Sequence, residues 1–202
     1  DDLYLNRGLS VSTEKLDTSS KASANIKSQE GTYFDTFFNY TLDYDKRNQK
    51  YQTTDGYRSR FSQKIPLINK SNTLTNTYDY KTYSELFNDN ITSLGFYAEA
   101  TNSLNGKNVK LSDRIFLSPN KLRGFESGKV GPKDGTDFIG GNYVMAVNLA
   151  TTLPQVLPNL QNIDFSLFLD AANVWGIDYS SSLSDDSKIR SSVGVAVDFF
   201  TP

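Results

Sequence analysis

Side chains suited to nucleophilic or metal chemistry are scarce in this chain. Neither His nor Cys occurs among its 202 residues. That removes Ser-His-Asp and Cys-His nucleophiles, most zinc sites and any disulfide framework. Carboxylates and bases remain. Asp164, Asp170 and Asp198 fall in stretches of alternating polarity. They are the right type for acid–base catalysis or cation binding, but inward charges lining a barrel are the commoner explanation. Asp185-Asp186, within the Ser-rich stretch 180–187, resembles a loose calcium cluster without EF-hand spacing, and reads as a flexible loop. Gly128, Gly131, Gly135, Gly140 and Gly141 do not form a phosphate loop, because no G-x-x-x-x-G-K-[ST] runs from strand into helix. Lys46, Arg47 and Lys50 make a small basic turn, read as solvated. Arg123 carries a planar fork of donors that holds a carboxylate bidentately, as a lysine cannot, yet on residue type alone it is a solvated loop charge. No cofactor, no metal and no enzymatic activity are expected.

Composition narrows the classes further. Lys and Arg number 21 against 23 Asp and Glu, a net charge of -2. That balance argues against a nucleic-acid partner. The chain has 12 Tyr and 13 Phe but one Met and one Trp, and its hydrophobic share is 37%. This is β-forming character without the aliphatic mass of an ordinary soluble core. No run approaches the ~18 apolar residues of a spanning helix. No signal peptide opens the chain at Asp1-Asp2-Leu3, so it is expected to be mature or a cut piece.

The elements that must carry these residues alternate with period two. In 142–153, Tyr143, Met145, Val147 and Leu149 oppose Asn142, Ala146, Asn148 and Ala150. In 163–175, Ile163, Phe165, Leu167 and Leu169 oppose Asp164, Ser166, Phe168 and Asp170. In 189–199, Val193, Val195, Val197 and Phe199 oppose Ser192, Gly194, Ala196 and Asp198. Fainter alternation runs through 3–11, 34–44, 57–65, 74–80 and 94–100. About eight strands follow, many near the ~9–11 residues of a tilted spanning strand. Alternation alone does not separate a membrane barrel from a soluble sandwich. Small and charged residues share the polar faces, and aromatics such as Tyr40, Tyr44, Tyr143 and Trp175 gather at strand ends as interfacial girdles do. The connectors 17–32, 102–141 and 177–188 are long and polar and would share one rim, with 153–162 on the other. These details favour an all-β, antiparallel up-and-down transmembrane β-barrel. Val193, Val195 and Val197 in a dry core between two sheets would overturn it.

Residues 112–141 read SDRIFLSPNKLRGFESGKVGPKDGTDFIGG. The tetrapeptide Leu122-Arg123-Gly124-Phe125 matches a [VIL]-R-G-[FY] loop tip. It is followed in order by Val130-Gly131-Pro132-Lys133, Gly140-Gly141-Asn142, Asp170 to Trp175 and Arg190-Ser191-Ser192-Val193-Gly194-Val195. In this order, from about Asp43 to Pro202, the chain resembles the C-terminal barrel domain of the bacterial surface antigen family, the BamA-type outer-membrane protein assembly factors. The resemblance implies that residues 1–202 are a partial barrel domain, about eight strands of a sixteen-stranded barrel, with a long loop (about 103–141) folding back into the lumen. It implies that Arg123 at the tip meets acidic wall residues, with Asp170 and Asp164 as candidates, that Gly124 lets the chain turn sharply and that Phe125 packs the tip. Three departures stand out. Ser118-Pro119 replaces a Gly-Gly, Ala172 replaces the Gly of D-x-G, and Ala150 stands where some members carry a wall Glu, putting one partner of Arg123 in doubt.

The function so implied is assembly and insertion of outer-membrane β-barrel proteins by strand-edge pairing, without enzymatic chemistry. Its partners are unfolded outer-membrane proteins, the lipid bilayer and accessory lipoproteins that dock on periplasmic repeats with no counterpart here. Its place is the outer membrane of a Gram-negative bacterium. Half a sheet leaves edges that cost several kcal/mol per unpaired group in lipid, so this piece alone is not expected to insert stably. The alternatives are a related translocator barrel (two-partner secretion or autotransporter assembly), a small self-contained outer-membrane pore or adhesin whose first and last strands pair, and a soluble carbohydrate-binding sandwich.

Overall fold

A computed structural model describes residues 2–70, 72–87, 90–153, 163–179, 183, 185 and 187–199. Most of the connector 153–162, Asp186 of the acidic pair, Ser71, Phe200 and the Thr201-Pro202 end lie outside those residues. The described residues form eight long strands: β1 (Leu3–Leu16), β2 (Gly31–Asp45), β3 (Gly56–Asn69), β4 (Thr73–Phe87), β5 (Asn90–Ser103), β8 (Tyr143–Thr152), β9 (Ile163–Trp175) and β10 (Arg190–Phe199). Two short strands, β6 (Lys133–Asp134) and β7 (Asp137–Phe138), form a separate hairpin inside the long connector. The eight long strands make one sheet in the order β1-β2-β3-β4-β5-β8-β9-β10, every ladder antiparallel. This is the up-and-down wall that the alternation predicts. Among the described residues no ladder joins β1 to β10, so the sheet is not a closed eight-stranded pore.

The apolar faces point outward, away from the concave side. Val193, Val195 and Val197 are 79%, 60% and 41% exposed, which excludes a dry core between stacked sheets. Leu94, Leu149, Leu169 and Val193 stand in register across β5, β8, β9 and β10, and all four are exposed. Aromatic rings close both ends of this band. Tyr57 lies 5.9 Å from both Tyr44 and Tyr80 near one rim, and Tyr143 lies 5.9 Å from Trp175 near the other. A charge placed in the middle of such a band should cost ~2–4 kcal/mol, falling to ~0–1 kcal/mol near the interface. Leu169→Arg is therefore expected to destabilise the intact protein in vesicles far more than Leu3→Arg at the end of β1. Denaturant titration of the folded barrel in lipid measures the difference.

Two features depart from simple alternation. The register of β2 against β3 shifts between Thr36 and Phe37 because Leu67 is an extra residue in β3, a bulge that changes the parity of that strand's faces and leaves Leu67 and Ile68 both exposed. The connector 17–32 carries a one-turn helix, α1 (Ala24–Lys27), started by Ser23, whose hydroxyl accepts from the Ile26 N–H at 3.2 Å.

Candidate functional site: a loop held against the inner wall

The connector after β5 turns back into the concave side instead of spreading over the rim. Its two limbs are tied by a bridge in which Ile115 N donates to the Gly141 carbonyl at 2.8 Å and Gly141 N to the Ile115 carbonyl at 3.0 Å. The loop carries apolar residues to the wall. Ile115, Leu117, Leu122 and Val130 form a buried cluster with Val144 and Ala146 of β8 and Ala172 and Val174 of β9, while Tyr97 and Phe125 pack at its edge. Beneath the loop the inner wall is dry, against the expectation of a polar lumen-facing surface. Leu122, 1% exposed, is the plug of the tip. Burying one such side chain stabilises by ~1.5–3 kcal/mol. Ala172 lies within this cluster.

Packing of Leu122 sets Arg123 over β9. Its backbone N–H donates to Asp170 Oδ2 at 3.0 Å, Nε donates to the same oxygen at 2.7 Å, and Nη2 donates to Oδ1 at 2.6 Å. The guanidinium carbon stands 3.8 Å from the centre of the Phe168 ring. Asp170 is 0% exposed and also accepts from Asn148 Nδ2 on β8 at 2.8 Å. Asn148 in turn donates to the Lys121 carbonyl at 3.0 Å, so one amide clasps both the loop backbone and the buried carboxylate. The chain leaves this contact through Gly124, whose φ of +81° lies in the region that side chains with a Cβ rarely occupy. Lys121 pairs with Asp79 of β4 and lies 4.3 Å above the Tyr97 ring.

The expected residues do not all meet. Arg123 and Asp170 come together, and Leu122, Gly124 and Phe125 support that contact. Asp164 takes no part among the described residues. It stands opposite Asp198 in the ladder, at the exposed far end of β9. Six residues of strand separate it from Asp170, roughly 20 Å at about 3.3 Å per residue, beyond the reach of one arginine. Ala150 offers no carboxylate and instead lines a cavity of about 270 Å³ with Lys81, Ser93, Gly95, Lys121 and Arg123. Asn148, Phe168 and the Lys121–Asp79 pair are contributors that the residue types alone do not single out.

The other polar groups weighed above have plain partners. Arg47 is held by Asp45 at 2.7 Å and Lys46 by Asp2, so the basic turn is largely neutralised. Asp185 accepts from the Gly176 N–H at 3.2 Å, as a turn residue does. A further loop cation, which the residue types do not single out, is Arg114: its side chain is fully buried, pairs with Asp178 and stacks 3.9 Å from the Tyr179 ring centre.

Comparison with known proteins agrees with this geometry. The structure of BamA from Haemophilus ducreyi lacking POTRA domains 1-3 superposes with a TM-score of 0.83 at 22% identity, over 100% of this chain and 46% of that one. A SAM50-like protein of Schizosaccharomyces pombe is 43% identical over 63 residues, which is 31% of this chain and 13% of that protein. The chain thus spans less than half the length of either. The family model of the Omp85 superfamily domain matches residues 1–202, and the chain belongs to that superfamily.

Proposed function

We propose that this chain is the wall and anchored loop of an outer-membrane protein assembly and insertion factor. The observation that carries the reading is the loop tip Leu122-Arg123-Gly124-Phe125 seated on the buried Asp170 of an open, outwardly apolar strand wall. Such a site has no nucleophile and no paired acid and base, so its work is positional. A strand edge templates an incoming chain by main-chain hydrogen bonds, and the anchored loop keeps the inner wall in one shape while this happens. The partners are unfolded outer-membrane β-barrel proteins and the bilayer itself. The location is an outer membrane, in our reading that of a Gram-negative bacterium. The match to a Schizosaccharomyces pombe protein makes the mitochondrial outer membrane the second location.

Reconstitution tests the proposal. The intact protein in proteoliposomes is expected to accelerate folding of an unfolded outer-membrane β-barrel well above the rate in empty vesicles, with no nucleotide or metal added. A client that folds at the same rate in both, or one carried across the bilayer without inserting, would count against assembly, the second result favouring a translocator.

A further inference from the structure

Lys110, near the start of the long loop, is buried among carboxylates at the β1–β2 end of the same concave face. Its side chain is 4% exposed. Its Nζ lies 2.7 Å from Glu14 Oε2 on β1 and 2.9 Å from Asp35 Oδ2 on β2, and 4.8 Å from the centre of the Tyr33 ring. Burial works against the ammonium, but the hydrogen bonds to Glu14 and Asp35 outweigh it, and its pKa stands above the ordinary lysine value. The loop backbone is tied at the same place. Leu111 N donates to Gln29 Oε1 at 2.7 Å, and Ser112 Oγ donates to Glu14 Oε2 at 2.9 Å.

This cluster and the Arg123 contact lie far apart in the sheet. β2 and β9 are separated by β3, β4, β5 and β8, so the two anchors are roughly 24 Å apart along the wall at about 4.8 Å per strand. Only thirteen positions of loop connect Lys110 to Arg123. Between them the loop is held again, by Arg114 on Asp178 and by the Ile115–Gly141 bridge, so the stretch is a braced strut that passes a displacement at one end to the other. Each anchor therefore raises the occupancy of the other.

We infer that Lys110, with Glu14 and Asp35, is a second anchor of the loop, a positioning site that holds Arg123 over Asp170 by tying the loop to β1 and β2. The loop is then a strut across the concave face. It sets where the tip sits and how far the first strands stand from β9. This rests on the assembly reading only for its consequence in activity; the anchoring itself is a statement about distances.

The test uses the intact protein in proteoliposomes and spin-label distances, for which this chain offers no cysteine of its own. One pair, Lys107→Cys with Ser19→Cys, reads the Lys110 end. A second, Asn120→Cys with Ser191→Cys, reads the Arg123 tip against β10. Lys110→Met is expected to broaden both distance distributions at least twofold and to slow client folding about tenfold, an ordinary size for coupling between two sites. Because that variant strands two carboxylates, the triple variant Lys110→Met, Glu14→Gln, Asp35→Asn is measured beside it. It is expected to melt like the parent while both distributions stay broad and client folding stays slow. Lys110→Arg, which keeps the charge between its partners, is expected to restore narrow distributions. Narrow distributions at both pairs in the triple variant would overturn the inference. So would broadening at the Lys107 pair alone, which would make Lys110 a local staple. Neither result touches the assembly reading, which falls instead if the unsubstituted protein fails to speed client folding.

Discussion

Arg123→Ala in the intact protein is expected to release the loop tip and to lower client folding in proteoliposomes by more than tenfold. Asp170 is fully buried and takes two side-chain bonds and one backbone bond from Arg123. Without the guanidinium, it keeps only Asn148 and a backbone N–H that is no longer held in place. Removing one partner of a buried ion pair typically costs ~3–5 kcal/mol, because the remaining charge is left uncompensated. The loss falls on the docked state of the loop, since undocking returns Asp170 to water. The loop should therefore become open to protease while the outer strands stay folded. Arg123→Lys separates charge from geometry. It keeps a cation near Asp170 but loses the fork that meets both carboxylate oxygens and the stack on Phe168, so an intermediate loss is expected. Combining Arg123→Ala with Asp170→Asn should recover part of the docking, with a coupling of ~0.5–3 kcal/mol typical of residues in contact. Protease protection and client folding equal to the parent in Arg123→Ala would remove the loop tip from the function.

The wall was legible in the sequence wherever one face alone was apolar. β9 spans Ile163–Trp175 and β10 spans Arg190–Phe199, close to the alternating segments, because Leu167, Leu169, Val193 and Val195 face outward against Asp170, Ser192 and Asp198. The first strands were fainter for two physical reasons. The bulge at Leu67 breaks the parity within β3, and the outward face of β3 and β4 carries a hydrogen-bonded Gln63–Asn76 pair that interrupts its apolar side. Under the loop the pattern fails in the opposite way. Val144, Ala146 and Val174 face inward yet are apolar, because they pack against Leu122 and Ile115 instead of water. Nothing in the strand itself signals that it is covered from inside.

The site was legible in part for a related reason. Arg123 stands in a recognisable tetrapeptide and Asp170 on a polar face, so each can be named from its own segment. Asn148 and Lys110 act through pairing between segments. Asn148 meets Asp170 because the β8–β9 ladder sets them opposite each other, and Lys110 meets Glu14 and Asp35 across residues distant in the chain. Ladder register and loop path are properties of the folded wall, and a period-two reading does not contain them. Asp164 shows the converse: it shares a face and a charge with Asp170, but not the depth along β9 at which the tip docks.

Depth of docking depends on a second position, where the expected effect is also large. Gly141→Ala should detach the base of the loop from the end of β9. A Cβ at Gly141 would fall on the Trp175 carbonyl oxygen and within 2.9 Å of Val174 Cγ1. The nearest obstacle is backbone in a paired strand, so no side-chain rotation relieves it. Either β9 bends or residue 141 moves away, and moving away breaks both hydrogen bonds of the Ile115–Gly141 bridge. Overpacking costs ~1–3 kcal/mol if β9 bends, and each hydrogen bond lost if residue 141 moves instead costs ~0.5–1.5 kcal/mol. Either cost falls on the docked state of the loop, so the hold on Arg123 should loosen although its own residues are untouched. Gly141→Ala is thus expected to reproduce the protease sensitivity of Arg123→Ala. Gly135→Ala, whose Cβ meets nothing within 4 Å, should give a far smaller loss, confined to the strain of a φ of +63°. A Gly141→Ala protein with a protected loop and parental client folding would show that the base of the loop does not determine where its tip is held.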